Sequence, residues 1–569
     1  MSSGPATVLV VAAATRKGRV YHECKTSGAA SNGGPTSGGT GAVIGTPSDG
    51  AKMDGGQNRE AQDVLVTVQQ GTLRGAVITS VLGTPYISFK GVPYARPPVG
   101  NLRFQAPEPA ASWEGVRDAL EQSEMCMQPV SGVYHVGSED CLYLNVHVPM
   151  NASGPLPVLA WIPGGGFTNG ASSFNGPDFF IEEGVIVVSL QQRVGALGLL
   201  STGDDVVPGN AGMKDIVMAL RWVQQNIAAF GGDPDQVTIG GESAGACSTS
   251  HLIISPLADG LFRGAILHSG EAVSSWGVGA DPAVRAFRLG EALGFSTNDS
   301  RELLEFLLAQ VYQDKFEEAQ LPLLLWTPVI EPDVEGAFIT EWPATALKDG
   351  RFSRVPVITG FTSGDGMEAV RRKRYLDDAA ALQQLSDNFV AAVSPQLHLP
   401  TPQQREEAAL QMRDFYFGHE NITASDAQAV VDMLTDLAFG EPVDSTVRVV
   451  ANHTDAAPVY YYLFDYRGEE LGNTTYGTPH ATQSSVVFYL QYLPILADPE
   501  STFGRLRSTM TRLWTNFIKY ETPSPEGEEI VWEAFDNSNL YYLHITDTFE
   551  LKQDVYKERM DFWHQNIPL

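Results

Sequence analysis

Cysteine is scarce in this chain, and its scarcity excludes two classes of protein. Four residues, Cys24, Cys126, Cys141 and Cys247, among 569 are too few for a disulfide scaffold, and their spacings fit no zinc-ligand pattern. No metal and no cofactor are expected. Basic side chains are also few, 37 Lys plus Arg against 67 Asp plus Glu for a formal charge of -30, and that balance repels phosphate backbones and anionic lipid. Nucleic acid is therefore not an expected partner, and the acidic surface is read as one that keeps copies of a soluble protein apart. Long apolar runs are missing as well: each candidate meets a charge or a turn residue well before about 18 positions, so no membrane span is expected. The best candidate for a signal peptide, Thr7-Val-Leu-Val-Val-Ala-Ala-Ala14, has no basic residue before it and runs into Thr15-Arg-Lys-Gly18, a poor fit to that pattern.

What is present is enough apolar material for a large core, 43% of residues against 18% charged. Residues 1–61 form a Gly/Ser-rich stretch that buries too little to offset ordering and is expected to be a disordered extension. From residue 62 to 569 short β-branched runs alternate with helical segments, which predicts one α/β domain built on a mostly parallel sheet. Val158–Ile162, Val185–Ser189, Val237–Ile239, Ala265–Leu267 and Val355–Thr359 read as its buried strands, with Tyr460–Phe464 and Leu540–His544 as later ones. Ile216, Leu220, Val223 and Ile227 recur at helical steps, and Gly231-Gly-Asp-Pro234 ends that helix. The largely helical segment from about Ala379 to Thr454 is too long for one crossover and is expected to cap the carboxyl edge of the sheet.

Gly241-Glu-Ser-Ala-Gly245 occurs once, directly after a predicted strand and directly before a predicted helix. That is the setting of a nucleophile elbow, a strained turn that exposes a serine at the top of a sheet. Ser243 is the candidate nucleophile. Pro163-Gly-Gly-Gly-Phe167 follows another buried strand, and the N–H groups of Gly165, Gly166 and Ala244 are the expected oxyanion donors. In such a fold an acid and then a histidine follow the serine. Asp365, in the turn after Val355–Thr359, is the candidate acid, with Glu368 as fallback. His398, His419 and His453 fall in the helical segment, His544 in a strand and His564 near the terminus, which leaves His480, in the loop Tyr476-Gly-Thr-Pro-His480, as general base. Cys126 and Cys141 bracket a short polar segment and are able to close a loop, while Cys247 is expected in a core.

These residues resemble the type-B carboxylesterase and cholinesterase family, in particular its arthropod carboxylesterases. Besides the elbow, the resemblance rests on Phe89-Lys-Gly-Val-Pro-Tyr-Ala-Arg-Pro-Pro-Val-Gly100, Glu139-Asp-Cys-Leu-Tyr-Leu-Asn145, Asn210-Ala-Gly-Met-Lys-Asp215 and Phe230-Gly-Gly-Asp-Pro234, and covers about Val64 to the end. It implies the α/β-hydrolase fold with helical cap insertions, a triad of Ser243, Asp365 and His480, a Cys126–Cys141 disulfide and a small-molecule ester as substrate. Three positions depart from the family pattern. Pro163 stands where a His often precedes the glycines, Asp365 replaces Glu with a side chain one methylene shorter, and Gln483 replaces an acid. No tryptophan lies between Cys126 and Cys141, where cholinesterases use one for cation-π contact, so choline esters are disfavoured.

The expected activity is acyl transfer to water through an acyl-enzyme on Ser243. The alternative is a catalytically weak or inactive, cholinesterase-like adhesion or binding protein of the same fold, which the intact Ser243 and His480 disfavour. Sequons at Asn151, Asn298, Asn421, Asn452 and Asn473, with the cysteine pair, favour an exported glycoprotein. The sequence sets no oligomeric state.

Overall fold

The computed structural model describes residues 63–130, 134–150, 154–310, 326–472, 475–490 and 498–568. The extension expected over 1–61 lies outside them. Apolar and β-branched runs become strands where both faces can be buried. Such are β5 (Leu156–Ile162) and β6 (Ile186–Leu190), then β7 (Gly232–Glu242), β8 (Gly264–His268), β9 (Val357–Thr362) and β10 (Val459–Phe464). Before them in the chain come β1 (Asp63–Val68), β2 (Gly71–Thr79), β3 (Pro85–Pro93) and β4 (Tyr143–Pro149). After them come β11 (Tyr541–Ile545) and β12 (Phe549–Gln553).

These strands join one sheet in the order β1-β2-β3-β4-β6-β5-β7-β8-β9-β10-β11-β12, with the short strand Val116–Asp118 beside β2. From β6 to β11 all neighbours are parallel, while β1 to β4, β4 with β6, and β12 are antiparallel. This is the α/β-hydrolase fold expected from the sequence. The parallel register sets the carboxyl ends side by side, with Glu242 opposite His268 and His268 opposite Gly360. Loops leaving β7, β8 and β9 therefore start from one edge.

Helix α1 (Ala211–Asn226) buries Ile216, Leu220 and Val223 against the sheet, each contributing about 1.5–3 kcal/mol. A short 3₁₀ turn, Ile227–Phe230, then ends at Gly231 with φ of +83°. Helix α2 (Ala244–Ile254) leaves β7 immediately after Ser243. The expected cap is helical, and part of it lies elsewhere than over the edge. After α3 (Ala427–Thr435) a π-helical turn, Asp436–Gly440, leads into α4 (Glu441–Ala451). Val443 and Val447 of α4 share a core with Phe361, Tyr461 and Leu463, so α4 covers the face of β9 and β10, where those side chains offer apolar surface.

Cys126 and Cys141 form a disulfide with Cα atoms 4.9 Å apart, as the family resemblance implies. Cys247 is fully buried and unpaired. No helix among the described residues is long and apolar enough to cross a membrane.

Candidate active site

Ser243 sits between β7 and α2 with φ 56° and ψ -122°, a conformation that costs about 1–3 kcal/mol and needs its surroundings to hold it. Glycine makes room. A Cβ on Gly241 would overlap the Gly245 backbone, and one on Gly245 would overlap the Ile162 carbonyl. The turn is pinned at both ends: the Ser243 N–H donates to the His268 carbonyl at 2.8 Å, and the Ser243 carbonyl accepts from Cys247 N–H at 2.9 Å.

The glycine loop after β5 packs against this elbow. A Cβ on Gly164 would meet Glu242, and Gly165 and Gly166 adopt φ of +122° and +62°, which L side chains rarely tolerate. Among the described residues none accepts a hydrogen bond from the N–H groups of Gly165, Gly166 or Ala244. Pro163 has no N–H to offer and stands at the start of the loop, before all three.

His480 arrives on the loop between β10 and α5 (Thr482–Val487). That loop is tied to the turn holding Asp365: Gly364 N–H donates to the Thr478 carbonyl at 3.0 Å, and Thr478 N–H donates to Ser363 Oγ at 2.8 Å. The outcome is a continuous polar line. His480 Nε2 is 2.8 Å from Ser243 Oγ, and His480 Nδ1 is 2.7 Å from Asp365 Oδ1. The other carboxylate oxygen, Asp365 Oδ2, accepts the Thr362 N–H at 2.8 Å.

The shorter acid makes full hydrogen-bond contact because its backbone lies close. Gly366 packs so tightly on α3 that a Cβ there would meet Thr435 and Val431, and its N–H donates to Thr435 Oγ1 at 2.9 Å. Glu368, the fallback acid, is not brought to the imidazole; it pairs with Arg372 at 2.6 Å on a half-exposed surface.

Several residues of the site went unassigned in the sequence. Glu242, the second residue of the elbow motif, puts Oε1 3.2 Å from His480 Nε2, and that buried oxygen has no hydrogen-bond partner. Burial pushes its carboxyl up to about 7, against the pull of His480. Burial by itself would lower the His480 pKa, but the hydrogen bond and charge of Asp365, with the charges of Glu242 and Glu368, push it up to about 9. Phe439, on the π-helical turn, packs on His480 with ring centroids 4.7 Å apart, and Trp276 lies 5.8 Å from Phe439. Such turns inside helices often mark functional positions, yet nothing in the local spacing announces this one. Gln483 donates to Ser269 Oγ at 2.6 Å.

No group of three or more His, Cys, Asp or Glu able to hold a metal ion occurs among the described residues. The polar line is suited to proton transfer from a hydroxyl to an imidazole whose orientation a buried carboxylate fixes.

A sequence profile described as "Carboxylesterase family" matches residues 62–563. A juvenile hormone esterase of Tribolium castaneum is 33% identical over 88% of this chain and 93% of its own length. Venom carboxylesterase-6 of Apis mellifera is 30% identical over 90% of this chain and 95% of its own. Carboxylesterase 5A of Homo sapiens is 33% identical over 93% and 92%. Insect and vertebrate relatives stand at the same distance, so the resemblance is not confined to arthropod enzymes.

Proposed function

The chain belongs to the carboxylesterase family and is a carboxylic-ester hydrolase, and we propose that it works by acyl transfer through Ser243, His480 and Asp365. The observation that carries this reading is that His480 reaches Ser243 Oγ with one nitrogen and Asp365 with the other. Ser243 Oγ attacks the carbonyl carbon of a small-molecule ester while its proton passes to His480 Nε2. The carbonyl π electrons move onto oxygen, where the N–H groups of Gly165, Gly166 and Ala244 stabilise the charge. Collapse breaks the bond to the alkoxy oxygen, which takes the proton from His480 and leaves as the alcohol. Water then attacks the acyl-enzyme with His480 again as base, releasing the acid and restoring Ser243. Asp365 Oδ1 accepts the hydrogen bond of His480 Nδ1–H and keeps that proton on its own side, so that Nε2 can accept.

The test is covalent labelling with a dialkyl fluorophosphate followed by peptide mass spectrometry. One dialkylphosphoryl group on the peptide containing Ser243, stoichiometric with lost esterase activity and absent from Ser243→Ala, is the expected result. Inactivation with the label on another residue would overturn the assignment.

A further inference from the structure

We propose that His268 is a positioning residue that couples the nucleophile to the base, its main-chain carbonyl holding Ser243 and its imidazole holding the helix that follows His480. The inference rests on the assignment of Ser243 and His480 made above. His268 ends β8 directly opposite Glu242 in the parallel register, which puts its carbonyl 2.8 Å from the Ser243 nitrogen. Its side chain is fully buried and makes two polar contacts. Trp514, on α6 (Thr502–Tyr520), approaches Nε2 with its indole Nε1 at 2.8 Å, and Ser484 Oγ lies 2.9 Å from Nδ1.

The chemistry of these partners fixes the ring. An indole nitrogen can only donate, so His268 Nε2 must present its lone pair and the ring proton must sit on Nδ1. The Nδ1–H then donates to Ser484 Oγ. A doubly protonated ring would aim one N–H at another, and burial pushes the His268 pKa down to about 3, so the ring stays neutral. Ser484 lies on α5, four residues after His480. A neighbouring pair repeats the link, Gln483 Nε2, one residue before Ser484, donating to Ser269 Oγ, one residue after His268, at 2.6 Å. One strand end therefore holds the backbone of the nucleophile and, through side chains, the helix that sets the position of the base. His268 touches neither substrate nor reacting atoms in this scheme; it acts through the spacing of Ser243 and His480, which near-attack chemistry senses at about the ångström level.

Three variants test this. Ser484→Ala removes the acceptor with little change of volume, His268→Phe keeps a ring but removes both contacts, and His268→Asn keeps a donor near the Nδ1 position. Turnover is measured per fluorophosphate-labelled Ser243 on a short aryl ester, together with KM and the pH profile of kcat/KM. Ser484→Ala and His268→Phe are expected to lower kcat between about 10-fold and 100-fold with KM within about twofold, and to move the acid limb to lower pH as the His480–Asp365 contact loosens. His268→Asn should recover part of that loss relative to Phe. Unchanged kcat and pH profile in Ser484→Ala overturns the inference, as does a loss that disappears when rates are counted per labelled serine. Should His268→Phe fail to fold, Ser484→Ala decides alone. Failure of wild-type Ser243 to take the label would instead overturn the nucleophile assignment.

Discussion

Glu242 Oε1 stands 3.2 Å from His480 Nε2, the same nitrogen that faces Ser243 Oγ at 2.8 Å. A carboxylate there stabilises the imidazolium, adding to Asp365 in holding the His480 pKa at about 9, above the ordinary 6.5 or so. In the proposed mechanism only neutral His480 accepts the serine proton, so activity should rise with pH along a limb displaced to the alkaline side of an unperturbed histidine. Glu242→Gln removes one anion, so the limb should move to lower pH by about 1 unit. The measurement is kcat/KM from pH 5 to 10 for both proteins. A limb that does not move would mean that Glu242 carries no charge where it meets the imidazole.

The disulfide gives a prediction about stability alone. Cys126 and Cys141 are separated by 15 residues, and closing a loop of that length restricts the unfolded chain by about 3 kcal/mol. Cys126→Ala with Cys141→Ala should lower the denaturant midpoint accordingly and leave turnover within about twofold, since neither cysteine touches the Ser243–His480 line. Loss of activity in the folded variant would show that this loop shapes the site.

Gly165 is expected to tolerate no side chain. Its φ is +122°, and a Cβ would fall on Asn169 backbone and side-chain oxygens, so Gly165→Ala must shift the loop that presents the N–H groups of Gly165 and Gly166. Loss of one oxyanion donor costs about 10²–10³ in kcat. Turnover at saturating aryl ester, on protein with an unchanged melting temperature, checks this; wild-type kcat would remove Gly165 from the oxyanion site.

How far the sequence could be read depended on whether a feature is local. The elbow was legible because a strand, a glycine-flanked serine and a helix must follow one another, and a short window of sequence carries all three. The strands from Val158 to Val355 were legible because burial on both faces leaves uniform apolar runs. His480 was reached by setting aside His398, His419 and His453 in a largely helical segment, His544 in a strand and His564 near the terminus. Glu242 could not be weighed in the same way: its role follows from Gly164 and His480, 78 and 238 positions away, closing around its carboxylate. His268 looks in sequence like the polar end of a buried strand, and Trp514 and Ser484 reach it only through the tertiary fold. The cap was legible as helix, yet α4 lies on the sheet face because Val443 and Val447 match Phe361 and Leu463, a pairing that helical periodicity does not name.

Asp365 is the residue whose substitution discriminates most sharply. Oδ2 accepts the Thr362 N–H while Oδ1 meets His480 Nδ1. In Asp365→Asn the amide oxygen must stay on Thr362 N–H, because an NH₂ there would face another donor. The amide nitrogen then turns to His480, whose Nδ1 has to accept, and the ring proton moves to Nε2. An imidazole protonated at Nε2 cannot take the Ser243 proton, so kcat should fall by about 10⁴-fold with KM little changed. Asp365→Glu tests the spacing. Asp365 is fully buried and Gly366 is packed against α3, so the extra methylene should overpack that turn by about 1–3 kcal/mol and lower activity rather than restore a family-like acid. A Glu variant at or above wild-type turnover would mean that the loop can retreat. An Asn variant within about twofold of wild type would mean that a different carboxylate orients His480, and Glu368, freed from Arg372, would be the one to substitute next.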